Sequence, residues 1–244
     1  METSLPQIKK NLAIVRERIA ESENRAGRPA GSVRLIGVTK YVDLDATREL
    51  AMLGCLDLAE SRPQKLWSKA DSLVDLPIRW HLIGHLQRNK VAKTLEYAHV
   101  LHSIDSERLL KQIASDSTET GSRADTDPTK KLVPTIDLLI EINATSDQSK
   151  TGLGLEEGRR LMELAANLPA NLPVKVTGLM GMSSIDASES QISREFEIIR
   201  NTRDSWESEF GISLPELSMG MSGDFELAIE QGATMVRVGS LLFG

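Results

Sequence analysis

The feature that most constrains the fold is a strict alternation of short apolar runs with amphipathic helical patterns. Eight apolar runs are typical of buried strands, and they lie at 33–39, 55–59, 78–83, 99–104, 136–142, 174–179, 214–218 and 234–238. Helical spacing of apolar residues is found between them, at 44–54, 62–73, 88–97, 106–115, 155–167, 188–208 and 223–231. Strands that alternate with helices form right-handed βαβ units and a parallel sheet.

Eight such units in 244 residues predict an α/β fold, a closed (β/α)8 barrel of the TIM type. An extra N-terminal helix is expected over 5–24, at the base of the barrel, because apolar residues recur there at three- and four-residue steps. An open, doubly wound sheet is the alternative architecture. No linker divides the chain, so 1–244 is expected to be a single domain. The polar segment 115–131 is expected to be a mobile surface loop.

Charge and cysteine content exclude several classes of protein. A net charge of -6 argues against nucleic acid or an anionic membrane as the main partner. The single cysteine, Cys55, excludes an internal disulfide and suits a reducing compartment. No apolar stretch reaches the roughly 20 residues that a membrane-spanning helix needs, and the charged start of the chain is unlike a signal peptide. A cytoplasmic location is therefore expected.

Polar and small residues follow the first, seventh and eighth strands, where barrels carry their sites. Lys40 ends the first strand, and a lone lysine there is usually only a surface residue. Ser222 follows strand seven, and Gly239 and Ser240 follow strand eight. Small residues let a phosphate approach the backbone N–H groups at helix starts. The alternative is that Ser222 only caps a helix and Gly239 only forms a turn.

Arg237 is the residue that suggests a functional role for Lys40. It lies two residues before Gly239, so on a strand it shares a face with Gly239 and Met235. A buried guanidinium needs a partner, which could be a structural carboxylate or a bound ligand. Strands one and eight are neighbours in a closed barrel. An amine, a phosphate turn and a polar group at ring level together describe a pyridoxal phosphate pocket, in which a lysine forms a Schiff base.

The chain resembles the pyridoxal phosphate homeostasis protein family, often called the YggS/PROSC family. The matching segments are LIGVTK, WHLIGHLQRNK, HSIDS, EINATSDQSKTGL, VTGLMGM and LSMGMSGDFELAIEQGATMVRVGSLLFG. The resemblance implies an alanine-racemase-like barrel without that enzyme's second domain. It also implies pyridoxal phosphate linked to Lys40, with Ser222, Gly239 and Ser240 holding its phosphate and Arg237 facing the pyridine nitrogen. A monomer is expected, because the racemase dimer depends on the missing domain.

Two further residues are expected near the cofactor. The family commonly has Gly-Glu-Asn after strand two, where this chain has Ala59-Glu60-Ser61, so Ser61 offers a shorter contact than the usual asparagine. His81 is expected to line the barrel near the cofactor, or to be a hydrogen-bonded core histidine. A metal site on His81 and His85 is disfavoured, because the pair lies on a strand and a glycine turn rather than on one helical face.

The favoured function is to hold and deliver pyridoxal phosphate without specific turnover, with apoenzymes that use the cofactor, or amino acids, as partners. An amino-acid racemase is the alternative, and a sugar-phosphate enzyme would leave Lys40 unexplained. A guanidinium beside the ring nitrogen weakens the ring as an electron sink. Racemases also need a second base, and neither Tyr41 nor Tyr97 is expected to supply it: Tyr41 should point away from Lys40 if the strand continues.

Overall fold

The eight predicted strands form a closed parallel barrel. The computed structural model describes residues 5–124, 135–147 and 150–244. The strands are β1 (Arg34–Val38), β2 (Asp57–Glu60), β3 (Arg79–Leu82), β4 (Val100–Ile104), β5 (Ile136–Ile142), β6 (Val174–Gly181), β7 (Glu216–Ser218) and β8 (Met235–Val238). Each strand pairs with the next, and β8 pairs with β1 to close the sheet, with Ile36 beside Arg237. The barrel prediction is confirmed, and the open sheet is excluded.

The helices follow the predicted alternation. They are α1 (Leu5–Arg25), α2 (Leu44–Met52), α3 (Pro63–Ser72), α4 (Val91–Leu95), α5 (Glu107–Ala124), α6 (Leu155–Ala166), α7 (Glu189–Phe210), α8 (Phe225–Glu230) and α9 (Ser240–Phe243). A short 3-10 helix, Arg88–Lys90, precedes α4. In the part of the chain that the structure describes, no helix is long and apolar enough to cross a membrane.

Helix α5 is longer than its apolar pattern predicts. It continues to Ala124, so the expectation of a loop from residue 115 is wrong as far as Ala124, and 125–131 lie outside the described residues. The side chains of Gln112 and Asp116 are hydrogen bonded one turn apart. The hydroxyls of Ser117 and Thr118 donate to the carbonyl of Ala114. The polar residues here are thus bonded within the helix, whereas its first half packs against the core through Leu109, Leu110 and Ile113.

Two apolar clusters stabilise the barrel, one outside the sheet and one inside it. The outer faces of the strands pack against the helices, and a second cluster fills the barrel interior, formed by Ile36, Val38, Ala59, Val100, Leu139, Met180 and Met235. The extra helix α1 packs beside α8, α9 and α2 in the outer ring. The side-chain amide of Asn11 donates to the carbonyl of Leu242 at 3.1 Å, and Arg16 donates to that of Gly54 at 2.9 Å.

Candidate functional site

A cavity of about 360 Å³ opens at the carboxyl end of the barrel, between the ends of β1, β7 and β8. Its lining residues are Val38, Lys40, Tyr41, Val42, Ile83, Met221, Ser222, Gly223, Arg237, Gly239, Ser240 and Phe243. Five residues chosen from the sequence, namely Lys40, Ser222, Arg237, Gly239 and Ser240, therefore meet in one place. The volume is in the range of small-molecule sites.

A tight turn presents Lys40 to this cavity. Strand β1 ends at Val38, and the N–H of Val42 donates to the carbonyl of Thr39 at 3.2 Å. Lys40 and Tyr41 occupy the two corners of the turn, and the Lys40 amine lies 4.9 Å from the centroid of the Tyr41 ring. The condition under which Tyr41 was expected to point away from Lys40 is not met, because the chain turns after Val38 instead of continuing as a strand.

The turns after β7 and β8 are joined by a hydrogen bond. The N–H of Gly239 donates to the hydroxyl of Ser222 at 3.3 Å, so Ser222 links two loops and does not cap α8. Among the described residues, the N–H groups of Ser222 and Gly223 have no hydrogen-bond acceptor. A Cβ added at Gly223 would meet no atom within 4 Å. Open space in front of unused N–H donors suits an anionic group such as a phosphate.

A buried carboxylate holds the first of these turns in shape. Asp224 accepts the N–H of Met221 at 2.6 Å through one oxygen and the hydroxyl of Ser183 at 2.5 Å through the other. Asp224 is the residue before α8, and its side chain makes no capping bond to that helix. Its role is to fix the backbone at 221–224 so that the free N–H groups keep their direction.

Arg237 is buried and firmly held under the cavity. One guanidinium nitrogen donates to the carbonyl and to the hydroxyl of Ser218, both at 2.7 Å, and the other donates to the carbonyl of Gly181 at 3.0 Å. The protein partners of Arg237 are therefore neutral oxygens, and not the structural carboxylate that was one of the two expected possibilities. Burial lowers the pKa of Arg237 to about 10, against the attraction of Asp224 and Glu141, so the group stays protonated at neutral pH.

A chain of hydrogen bonds leads from Arg237 through the barrel interior. The hydroxyl of Ser218 lies 2.9 Å from Nδ1 of His102, whose Nε2 lies 2.9 Å from Nδ1 of His81. Nε2 of His81 lies 2.9 Å from the carboxylate of Asp57. Burial lowers the pKa of both histidines, that of His102 most strongly. His81 is fully buried and does not line the cavity, so it reaches the site only through this chain.

Ser61 is separated from the other candidates. It lines a neighbouring depression of about 680 Å³ together with Arg62, Lys65 and His85. His85 is exposed, and its Nδ1 lies 2.9 Å from the carboxylate of Asp105. His81 and His85 therefore do not converge, and no group of three potential metal ligands occurs within the described ranges.

Sequence reasoning missed Tyr41 as a lining residue, and it missed the contact between Ser218 and His102. His102 carries no signal in the sequence beyond its type, because one histidine on a strand does not reveal its neighbours across the barrel. Ser218 precedes the glycine turn after β7, and the inward side of β8 is marked by Arg237. A search for polar residues on the inward face of β7 finds Ser218.

Comparisons with known proteins agree with this architecture. The family model for the N-terminal domain of alanine racemase matches residues 4–244. A pyridoxal phosphate homeostasis protein of Aquifex aeolicus is 36% identical over 233 residues, which cover 96% of this chain and 96% of that protein. The structure of PipY from Synechococcus elongatus, with pyridoxal phosphate bound, matches with a TM-score of 0.82 at 29% identity, over 97% of this chain and all of PipY.

An alanine racemase of Clostridium difficile shares the fold at 15% identity. Its TM-score is 0.72, and the match covers the whole of this chain but 58% of the racemase. The barrel thus corresponds to one part of a longer enzyme. On the family model and the Aquifex relative, the chain belongs to the pyridoxal phosphate homeostasis proteins, a family built on the N-terminal domain of alanine racemase.

Proposed function

We propose that this protein holds pyridoxal phosphate as a Schiff base on Lys40 and serves cofactor homeostasis and delivery, without committed turnover. The observation that carries the proposal is the cavity itself. It combines the amine of Lys40, a turn after β7 with unused N–H donors at Ser222 and Gly223, a second small-residue turn after β8, and the protonated guanidinium of Arg237. When bound, the cofactor supplies an aldehyde that condenses with an amine.

Each group has a defined task in this proposal. Ser222, Gly239 and Ser240 surround the phosphate, with the Ser222 hydroxyl already fixing the two turns against each other. Arg237 would face the pyridine nitrogen of the bound cofactor and would donate a hydrogen bond to it. Because a protonated guanidinium can donate hydrogen bonds but accept none, the ring nitrogen stays unprotonated and the ring is a weak electron sink. This favours storage and release over catalysis.

The Schiff base is tested by absorbance. Wild-type protein incubated with pyridoxal phosphate should be yellow, and borohydride should abolish the imine band and fix the cofactor on Lys40. Lys40→Ala should show no imine band, because no other described lysine lines the cavity. A Lys93→Ala variant, exposed on α4 and stacked on Trp67, is the matched control and should stay yellow. A Lys40→Ala protein with the full imine band of the wild type would contradict the assignment of Lys40 as the residue that forms the Schiff base.

An amino-acid racemase is the second candidate, and the position of Tyr41 favours it. Racemisation removes a proton from Cα and returns one to the opposite face, so it needs two groups able to carry protons. Lys40 and Tyr41 both line the cavity, and the Tyr41 side chain is 89% exposed. Because the two groups lie on adjacent residues at the cavity mouth, racemisation would also require the Tyr41 hydroxyl to reach the substrate face opposite Lys40.

Exchange of the Cα proton separates the two functions. Amino acids incubated in deuterated water with the loaded protein should show exchange no faster than with free pyridoxal phosphate if the protein is a carrier. A turnover near 1 s⁻¹, at the low end for enzymes, that falls in Tyr41→Phe would establish the racemase instead. Tyr97→Phe, which leaves the cavity lining unchanged, is the control.

A further inference from the structure

A buried ion pair lies directly behind the turn that carries Lys40. Lys69 on α3 is 8% exposed and Glu60 at the end of β2 is 1% exposed. The Lys69 ammonium donates to Glu60 at 2.7 Å. The same carboxylate oxygen accepts the hydroxyl of Thr39 at 2.7 Å. Neither Lys69 nor Glu60 lines the cofactor cavity.

The remaining two donors of Lys69 reach both ends of the turn. Its ammonium donates to the carbonyl of Thr39 at 2.8 Å and to the carbonyl of Val42 at 3.0 Å. Together with the bond to Glu60, these use all three N–H groups of the ammonium. Thr39 and Val42 are the first and last residues of the four-residue turn, and Lys40 is its first corner. One side chain therefore fixes the turn from behind at both ends.

Burying a lysine and a glutamate together is a weak source of stability, because desolvation offsets most of their attraction. The bonds that the pair makes to the turn are therefore more informative than its contribution to stability. The N–H of Thr39 also donates to the carbonyl of Ala59 at 2.9 Å, which ties the entry of the turn to β2. The turn cannot shift relative to β2 and α3 without breaking several of these bonds.

We infer that Lys69 and Glu60 are positioning residues that hold the Thr39–Val42 turn so that the Lys40 amine reaches the cofactor aldehyde. The inference rests on the proposed function of Lys40. It also explains why a second lysine so close to the site is not a competing tether: its three donors are all used and its side chain is buried. Borohydride should therefore fix no cofactor on Lys69, even in Lys40→Ala.

The test is a double variant, Lys69→Met with Glu60→Gln. Removing Lys69 alone leaves the buried carboxylate of Glu60 without its charged partner. The double variant removes both charges, and the amide oxygen of the new glutamine can still accept the Thr39 hydroxyl. Phosphate binding should persist, so the protein should still retain pyridoxal phosphate in ultrafiltration. Formation of the imine band should slow by about ten- to a hundredfold, because a displacement near 1 Å is enough for such a loss.

Lys65→Met, on the exposed side of the same helix, is the matched control and should form the imine at the wild-type rate. Lys69→Arg keeps a charge beside Glu60 and so protects the fold, but a planar guanidinium cannot place three donors as an ammonium does. It should also slow imine formation. Wild-type rates in either Lys69 variant would overturn the inference. Absence of an imine in the wild type would instead overturn the function proposed for Lys40.

Discussion

At the scale of single residues, the direction of the buried hydrogen-bond chain follows from its two ends. Arg237 can only donate, and the carboxylate of Asp57 accepts. The Ser218 hydroxyl then donates to His102, His102 donates to His81, and His81 donates to Asp57. Each histidine has one donor and one acceptor nitrogen in use, so both are neutral. This agrees with the lowered pKa of both groups.

Neutral buried histidines predict a loss of stability in mild acid. The unfolded chain binds a proton at each histidine below its ordinary pKa of about 6.5, whereas the native state does not. Stability is therefore constant with respect to these groups above that pH and falls as the pH drops through it. Each contributes a slope of up to about 1.4 kcal/mol per pH unit. Urea unfolding at several values between pH 7 and 5 measures the slope.

His102→Gln isolates one of these contributions from those of the carboxylates. Glutamine keeps a donor and an acceptor but cannot titrate, so the slope of this variant below pH 6.5 should be shallower by up to about 1.4 kcal/mol per pH unit. Gln87→Ala is the control, because Gln87 is exposed and cannot titrate, so its slope should match that of the wild type. Equal slopes for His102→Gln and the wild type would show that His102 takes up a proton in the native protein.

At the scale of elements, the sequence predicts what depends on periodic burial. All eight strands lie within about two residues of their predicted bounds, because a barrel strand is covered on both faces and leaves a continuous apolar run. The placement of Ser222 and Gly239 beside each other also follows, since the ends of neighbouring parallel strands share one edge. Periodicity therefore predicts the strands and their order.

The failures occur where a contact between distant segments decides the structure. Tyr41 was expected to face away from Lys40 only if the strand continued, but the chain turns there, and the turn is bonded to Lys69, 30 residues from Thr39 in sequence. Ser61, expected beside the cofactor on the family resemblance, lines a neighbouring depression, and its contact with the cofactor stays a prediction. The alternation of residues along a strand predicts which face a side chain is on only as far as the strand continues. It does not predict the direction of side chains in the turn that follows.

At the scale of the whole molecule, α1 completes the ring of helices. The helix after β8 has four residues, Ser240–Phe243, and α1 packs beside it, between α8 and α2. Glu23 near the end of α1 ties this helix to the start of the barrel. Its carboxylate, which is buried, accepts the N–H of Gly31 at 2.9 Å, the hydroxyl of Ser32 at 3.1 Å and the N–H of Val33 at 2.7 Å.

Replacing Glu23 should therefore loosen the barrel without touching the cofactor site. Glu23→Ala leaves the buried N–H of Val33 and its neighbours without an acceptor, which should cost roughly 2–3 kcal/mol. For a chain of this length that corresponds to a fall in melting temperature of about 5–10 °C. The imine absorbance on Lys40 at 25 °C should be unchanged, because Glu23 lies on α1 and outside the cavity lining.

Glu21→Ala provides the comparison. Glu21 lies on the same helix but is exposed, so it has the same effect on charge and helix propensity without the buried bonds. Its melting temperature should stay within about 2 °C of the wild type, as expected for a surface change below 0.5 kcal/mol. If both variants have the melting temperature of the wild type, α1 is held only by its apolar face, formed by Ile8, Leu12, Val15 and Ile19. The carboxylate would then order the 31–33 segment without fastening the helix to it.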